Sequence, residues 1–298
     1  MRLAAIEIGS NAARLLITEV TEGPQGTTEF IKTMLVRVPL RLGFDVFDKG
    51  EISPAKVEKI IKTIKSYRLL LDVYEVKHLK ACATSAMRDA RNGQDIIRQV
   101  KQETGLEIEI ISGDQEASLI YENHIAENMA KDESYLYIDV GGGSTELTFF
   151  SDGKLIFKKS FNIGTIRMLK NQVTESTWDE LKEYIRSKTK GYHHVTAIGT
   201  GGNINKVFSL SKRKDGKPLQ LDLLRDYYKE FSNLTLSQRI SLHKLREDRA
   251  DVIVPALLIY INIMRWADAD EIYVPKIGLA DGLIHTLYEE VRLREMEV

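Results

Sequence analysis

Residues 135–149 read YLYIDVGGGSTELTF. Alternating apolar residues predict a strand that ends on a carboxylate, Asp139. Three consecutive glycines, 141–143, follow, then Ser144, Thr145 and Glu146, and a second strand begins. With no Cβ in the way, successive peptide N–H groups can turn to one side, and such a ring of donors seats a phosphate. Asp139, just before the turn, stands where a metal escorting that phosphate could be held.

The same grammar opens the chain. Residues 3–20, LAAIEIGSNAARLLITEV, run strand, carboxylate (Glu7), turn (Gly9, Ser10, Asn11), strand. Placing Gly9 on Gly141 puts Glu7 on Asp139, an offset of 132 residues, and further strand and helix patterns follow in each case. This is an internal duplication, so the expectation is an α/β chain of two similar lobes with two phosphate-facing loops across a shared cleft. The lobes are placed at 1–123 and 124–298, with the last helix, Leu279 to about Arg294, able to pack back on the N-terminal lobe.

Composition narrows the function classes. The 298 residues carry 42 Lys and Arg against 43 Asp and Glu, so no global field recruits nucleic acid or a membrane, and an anionic substrate needs a local pocket. The apolar window Val252 to Met264 is too short to span about 30 Å of hydrocarbon and reads as a buried helix. A single cysteine, Cys82, and a first stretch without a charged leader lead to the expectation of a cytoplasmic protein. A homodimer is the default form should the chain associate.

Between the loops, ATSAMRDARNG follows a short strand at His78 to Ala83, and ligands in α/β lobes sit at such strand ends. Arg88 is therefore a candidate phosphate contact, with a solvated surface arginine as the alternative. Ser112 and Gln115 fit an S-x-x-Q capping box for the next helix. Glu116 in its first turn is either a helix-start acid favoured by the macrodipole or a group that orients a water. Further on, Asn162 to Arg167 makes a turn with Arg167 as a second possible phosphate contact, and Thr177 with Glu180 is expected to cap a helix. Gly199-Thr200-Gly201-Gly202-Asn203 then lies between a strand and a helix, an anion-binding arrangement.

Taken in order, IEIGSNAARLLI, RLG at Arg41, ATSAMRDARNG, SGDQEASLIY, IDVGGGSTEL, GTGGN, RADVI at Arg249 and GLADGL at Gly278 resemble the exopolyphosphatase and guanosine pentaphosphate phosphohydrolase family, in its short two-domain form. That family lies in the sugar kinase, Hsp70 and actin superfamily. The resemblance implies two ribonuclease H-like lobes and Mg²⁺-dependent hydrolysis of the terminal phosphoanhydride of inorganic polyphosphate, or of guanosine pentaphosphate, releasing orthophosphate. It implies Glu116 as the catalytic glutamate, Glu146 as a second catalytic acid, and Asp139 with Glu7 as metal ligands. Phosphates would be held by Gly9, Ser10, Asn11, Arg88, Gly141, Gly142, Gly143, Ser144, Thr145, Gly201, Gly202 and Asn203.

The chain departs from the family pattern at Glu7, where Asp is usual, at Ala12, where a second serine is usual, at Ser118 in place of an arginine, and at Asp281 in place of Glu. The superfamily keeps a kinase or ATPase reading in view, and Glu7, Ala12 and Ser118 keep in view a weakly catalytic module that senses polyphosphate or nucleotide. The short form also leads to the expectation that short polymers are preferred.

Overall fold

The computed structural model describes residues 1–23, 27–121, 133–192 and 194–296, with backbone only at 120 and 121. The first sheet is built from β1 (Arg2–Ile8), β2 (Ala12–Glu22), β3 (Thr28–Pro39), β4 (His78–Ala83) and β5 (Glu109–Ile110), ordered β3-β2-β1-β4-β5. Strands β1 to β3 form an antiparallel meander, and β4 and β5 add in parallel on the other side of β1. The helices are α1 (Gly43–Lys49), α2 (Pro54–Val73), α3 (Ser85–Asp89), α4 (Gly93–Thr104) and α5 (Gly113–Tyr121).

The second sheet repeats this plan. Strands β6 (Ser134–Val140), β7 (Thr145–Ser151) and β8 (Lys154–Phe161) are followed by helices α6 (Thr165–Leu169) and α7 (Glu175–Thr189), then by β9 (Val195–Thr200) and α8 (Gly202–Ser211). The remainder is β10 (Leu219–Gln220), α9 (Leu221–Asn233), α10 (Leu236–His243), α11 (Glu247–Ala250), α12 (Ile253–Trp266), β11 (Glu271–Tyr273) and α13 (Leu279–Met296). Its order, β10-β11-β9-β6-β7-β8, is the first sheet's order with β10 added antiparallel at one edge. A meander of three strands followed by two parallel ones is the ribonuclease H-like sheet, so the expected fold class holds for both units.

The duplication extends to irregularities. The β2–β3 ladder slips at Ile17/Thr18 and the β7–β8 ladder at Phe149/Phe150, an offset of 132 residues again. A bulge is a specific device that bends a strand, and its recurrence at matched positions marks two copies of one plan.

By contact the chain divides into Met1–Asn123 with Leu279–Val298, and His124–Gly278. The expected junction at 123/124 lies outside the described residues. Helix α13 belongs to the first unit: Leu279, Leu283, Leu287 and Val291, four apart, form a stripe that packs with Leu3, Ala5 and Leu16 of the sheet. Gly282 lets α13 approach α5 closely, since a Cβ there would fall 1.8 Å from the Leu119 carbonyl oxygen. The second unit's core centres on α12, whose Ile253, Leu257, Tyr260, Ile261 and Met264 are buried with Leu136, Ile138 and Phe149. Pro255 sits in the first turn of α12, where its missing N–H costs no helical bond. Among the described residues no helix is long and apolar enough to cross a membrane.

One helix start differs from expectation. Helix α7 is capped by Thr174, which accepts from the Thr177 N–H at 3.3 Å, so the cap lies three residues before the expected Thr177.

Candidate active site

Each glycine turn is closed by the same bond. Gly9 N–H donates to Ala12 O at 3.0 Å, and Gly141 N–H donates to Ser144 O at 2.9 Å. The chain leaving the third strand then returns to the turn in both units. In the first, Leu40 and Arg41 N–H donate to Asn11 O, and Gly43 N–H to Ser10 O. In the second, Thr165 N–H donates to Gly141 O and Ile166 N–H to Gly142 O, while Arg167 Nε donates to Gly143 O at 2.6 Å.

In a trans peptide the C=O and N–H point opposite ways. Carbonyls tied to the returning chain therefore aim the N–H groups of Gly142, Gly143 and Ser144 away from it, and likewise those of Asn11 and Ala12. This is the backbone arrangement that an anion seat requires at each loop. Gly164 makes the close return possible, because a Cβ there would meet Gly142 C and O and Gly143 C at 2.5 Å.

Four side chains expected at phosphate have partners within the protein. Thr145 is fully buried and its hydroxyl donates to Ile163 O at 2.6 Å, so it braces the loop from behind. Ser10 Oγ lies 2.7 Å from Ser85 Oγ, joining the first loop to the start of α3. Arg167 likewise serves the loop's backbone, through Gly143 O. Arg88 Nη1 donates to Ile111 O at 2.8 Å, which anchors the chain one residue before the α5 cap.

Glu116 sits in the first turn of α5 and is buried. The capping box is fully formed: Gln115 N–H donates to Ser112 Oγ at 3.2 Å, and Ser112 N–H to Gln115 Oε1 at 2.8 Å. Glu116 N–H donates to Ser112 O at 3.0 Å, so this glutamate is held on a fixed helix start.

The carboxylates at the second loop lie in a single cross-strand row. Asp139 on β6 is the direct partner of Glu146 on β7 and of Thr200 on β9, and Glu146 is the direct partner of Ser160 on β8. The row therefore reads hydroxyl, carboxylate, carboxylate, hydroxyl. Thr200 Oγ1 is 2.6 Å from Asp139 Oδ1, and Ser160 Oγ is 2.8 Å from Glu146 Oε1. Asp139 and Glu146 each bring a carboxylate oxygen within 4.8 Å of the other. Like charges directly opposite on neighbouring strands destabilise a sheet unless something positive lies between them. Oxygen donors of this kind suit a hard divalent cation, so the pair fits a divalent-cation site.

The matching row of the first unit has different chemistry. It reads Cys82, Glu7, Arg14, Arg37 across β4, β1, β2 and β3. Arg14 Nη1 donates to both Glu7 oxygens, at 2.8 and 2.9 Å. A guanidinium stands where the second unit has a second acid, and Glu7 is held in an ion pair with it. Cys82 is buried, and burial first, then the nearby carboxylates led by Glu7, push its thiol well above the ordinary range. It is a core residue.

Gly201 and Gly202 have separate reasons to lack side chains. Gly201 has φ +98°, and a Cβ on it would come 2.9 Å from Asp139 Oδ1. At Gly202 a Cβ would meet Arg249 Nη2 at 2.8 Å, so that guanidinium lies against the first turn of α8. A cation beside a helix N-terminus, with Asn203 in the same turn, favours an anion. Sequence reasoning missed Thr200 and Ser160 as partners of the acids; counting strand pairs outward from the glycine turn finds Glu146 opposite Asp139 but reaches neither hydroxyl.

A family model described as the Ppx/GppA phosphatase family matches residues 25–290. The bifunctional 3-dehydroquinate synthase/phosphatase of Fusobacterium nucleatum is 29% identical over 97% of this chain, which spans 46% of that protein's length. Exopolyphosphatase 1 of Mycobacterium tuberculosis is 25% identical over 95% of this chain and 87% of its own. Among solved structures, the Aquifex aeolicus Ppx/GppA family member matches with TM-score 0.73 and 26% identity, covering 99% of this chain and 98% of that one. An exopolyphosphatase from Cytophaga hutchinsonii matches in fold with TM-score 0.82 at 24% identity, covering 97% and 98%. With two ribonuclease H-like sheets, paired glycine turns and a family match that runs through most of its length, this chain belongs to the Ppx/GppA phosphatase family.

Proposed function

We propose that the chain hydrolyses the terminal phosphoanhydride of inorganic polyphosphate and releases orthophosphate. The observation that carries this reading is the Asp139–Glu146 carboxylate pair beside the Gly141–Ser144 turn, in one unit. The names of the mycobacterial relatives point the same way.

In this reading Asp139 and Glu146 hold Mg²⁺, which when bound would supply positive charge to the phosphate oxygens. The N–H groups of Gly142, Gly143 and Ser144, and those of Asn11 and Ala12, bind successive phosphates. Gly201, Gly202 and Asn203, with Arg249 alongside, add a further anion contact, and Arg88 sets the start of the helix that carries Glu116. Glu116 orients a water, whose oxygen bonds to the terminal phosphorus as the bridging P–O bond breaks. The leaving oxygen stays on the shortened polymer, and the water proton passes to Glu116 or to the departing phosphate. A loose phosphoryl-transfer transition state asks for alignment and charge stabilisation more than for covalent help, and these groups offer both.

Orthophosphate release from polyphosphate, guanosine pentaphosphate and ATP, each with Mg²⁺ and with EDTA, tests the reading. Mg²⁺-dependent release that is fastest from polyphosphate supports it. Faster release from guanosine pentaphosphate reassigns the substrate within the family. Release from ATP alone, or polyphosphate binding without release, overturns it.

A further inference from the structure

The cross-strand row ends in two hydroxyls that nothing in the family match assigns. We propose that Thr200 and Ser160 are positioning residues for the cation: they fix which carboxylate oxygens of Asp139 and Glu146 face it, and Tyr260 fixes Thr200 in turn. The proposal rests on the reading that Asp139 and Glu146 hold a divalent cation.

The geometry is specific. A threonine hydroxyl carries one donor hydrogen, and Thr200 Oγ1 lies 2.6 Å from Asp139 Oδ1. A hydroxyl-to-carboxylate bond of this length is charge-assisted and resists rotation of the carboxylate. With Oδ1 held on the β9 side, Oδ2 is the atom turned toward a ligand. Ser160 does the same from the opposite end of the row, taking Glu146 Oε1 at 2.8 Å.

Thr200 is the last residue of β9, where a strand would ordinarily fray. Its carbonyl accepts a hydrogen bond from the hydroxyl of Tyr260, a buried residue of α12. Tyr260 is fully enclosed in the core, so its hydroxyl is held on that carbonyl. Gly201, next in the chain, clears space for the same Oδ1. The unit thus spends a strand end, a buried phenol, a left-handed glycine and an edge-strand serine on orienting two carboxylates. Partners of this kind behind metal ligands typically alter affinity or activity by about 10- to 100-fold when removed.

The test is Mn²⁺ binding to the full chain without substrate, followed by calorimetry and by the EPR signal of free Mn²⁺. The parent protein should bind Mn²⁺ and Asp139→Asn should not; if the parent fails to bind, the cation reading falls and this proposal with it. With that established, Thr200→Val should raise the Mn²⁺ Kd about 10- to 100-fold, and Thr200→Ser, which keeps the hydroxyl, should restore it to near the parent value. Ser160→Ala should show a loss of the same order. Should Thr200→Val not fold by circular dichroism, Tyr260→Phe and Ser160→Ala carry the test, since neither removes a ligand. Parent-like Kd values in folded Thr200→Val, or in both of those variants, overturn the proposal while leaving the cation reading intact, as does a Thr200→Ser variant as weak as Thr200→Val.

Discussion

Arg14 donates through one nitrogen to both carboxylate oxygens of Glu7, at 2.8 and 2.9 Å, across the first two strands of the chain. At the duplicated position the second unit sets Glu146 against Asp139. One plan has diverged into a lobe that pairs its acid with an arginine and a lobe that sets two acids side by side. Glu7→Gln should therefore leave Mn²⁺ affinity near the parent value, whereas Asp139→Asn abolishes it. Arg14→Met should lower stability by about 1–3 kcal/mol in urea, because the largely buried Glu7 carboxylate loses its charged partner. Loss of Mn²⁺ binding in Glu7→Gln contradicts the division of labour between the lobes.

Gly164 lies against the glycine turn it serves. Its substitution by alanine puts a Cβ 2.5 Å from Gly142 and Gly143 backbone atoms, which have no flexible end to yield. Gly164→Ala should fold with a stability loss of about 1–3 kcal/mol and a raised KM for polyphosphate, since the displaced turn re-aims its N–H groups. Unchanged KM and unchanged melting temperature together would show that the turn tolerates the shift.

Much of this was legible in the sequence, and what was hidden has physical causes. The matched Gly9 and Gly141 turns, Glu7 against Asp139 and the S-x-x-Q cap before Glu116 were all readable, because turns and caps are local and demand particular residues. The partner of Glu146 was not. Counting back from the Ser151–Lys154 turn places Lys159 opposite Glu146, and only the bulge at Phe149/Phe150 shifts the ladder so that Ser160 faces it. A bulge is set by packing across the sheet, which no local pattern announces. The uses of Thr145, Arg88 and Arg167 as backbone braces were hidden for a related reason: a hydroxyl or guanidinium near a loop looks the same in sequence whether it faces the ligand or the chain behind it.

Asp45 supplies a pH-dependent contribution to the first unit. Burial raises its pKa, but hydrogen bonds from Lys56 and Ser53 outweigh that and leave the carboxyl below its ordinary range. Ser53 is the residue before helix α2, and its hydroxyl and N–H donate to Asp45 at 2.6 and 3.1 Å. A lowered carboxylate pKa stabilises the fold above the unfolded value, about 3.9, and the contribution is lost as pH falls through the folded value. Asp45→Asn should melt below the parent at pH 7, and the gap should narrow as pH falls below the ordinary carboxylate range. A gap of constant size across that range contradicts the assignment.

The central claim is that Glu116 serves the water in phosphoanhydride hydrolysis, and the most direct measurement is polyphosphate turnover by Glu116→Gln at saturating Mg²⁺, with substrate binding followed in parallel. The amide keeps the shape and the helix start but cannot accept the water's proton. The account predicts a fall in kcat of at least about 10²- to 10⁴-fold with polyphosphate affinity within a few-fold of the parent. Turnover near the parent value in a folded Glu116→Gln protein contradicts it.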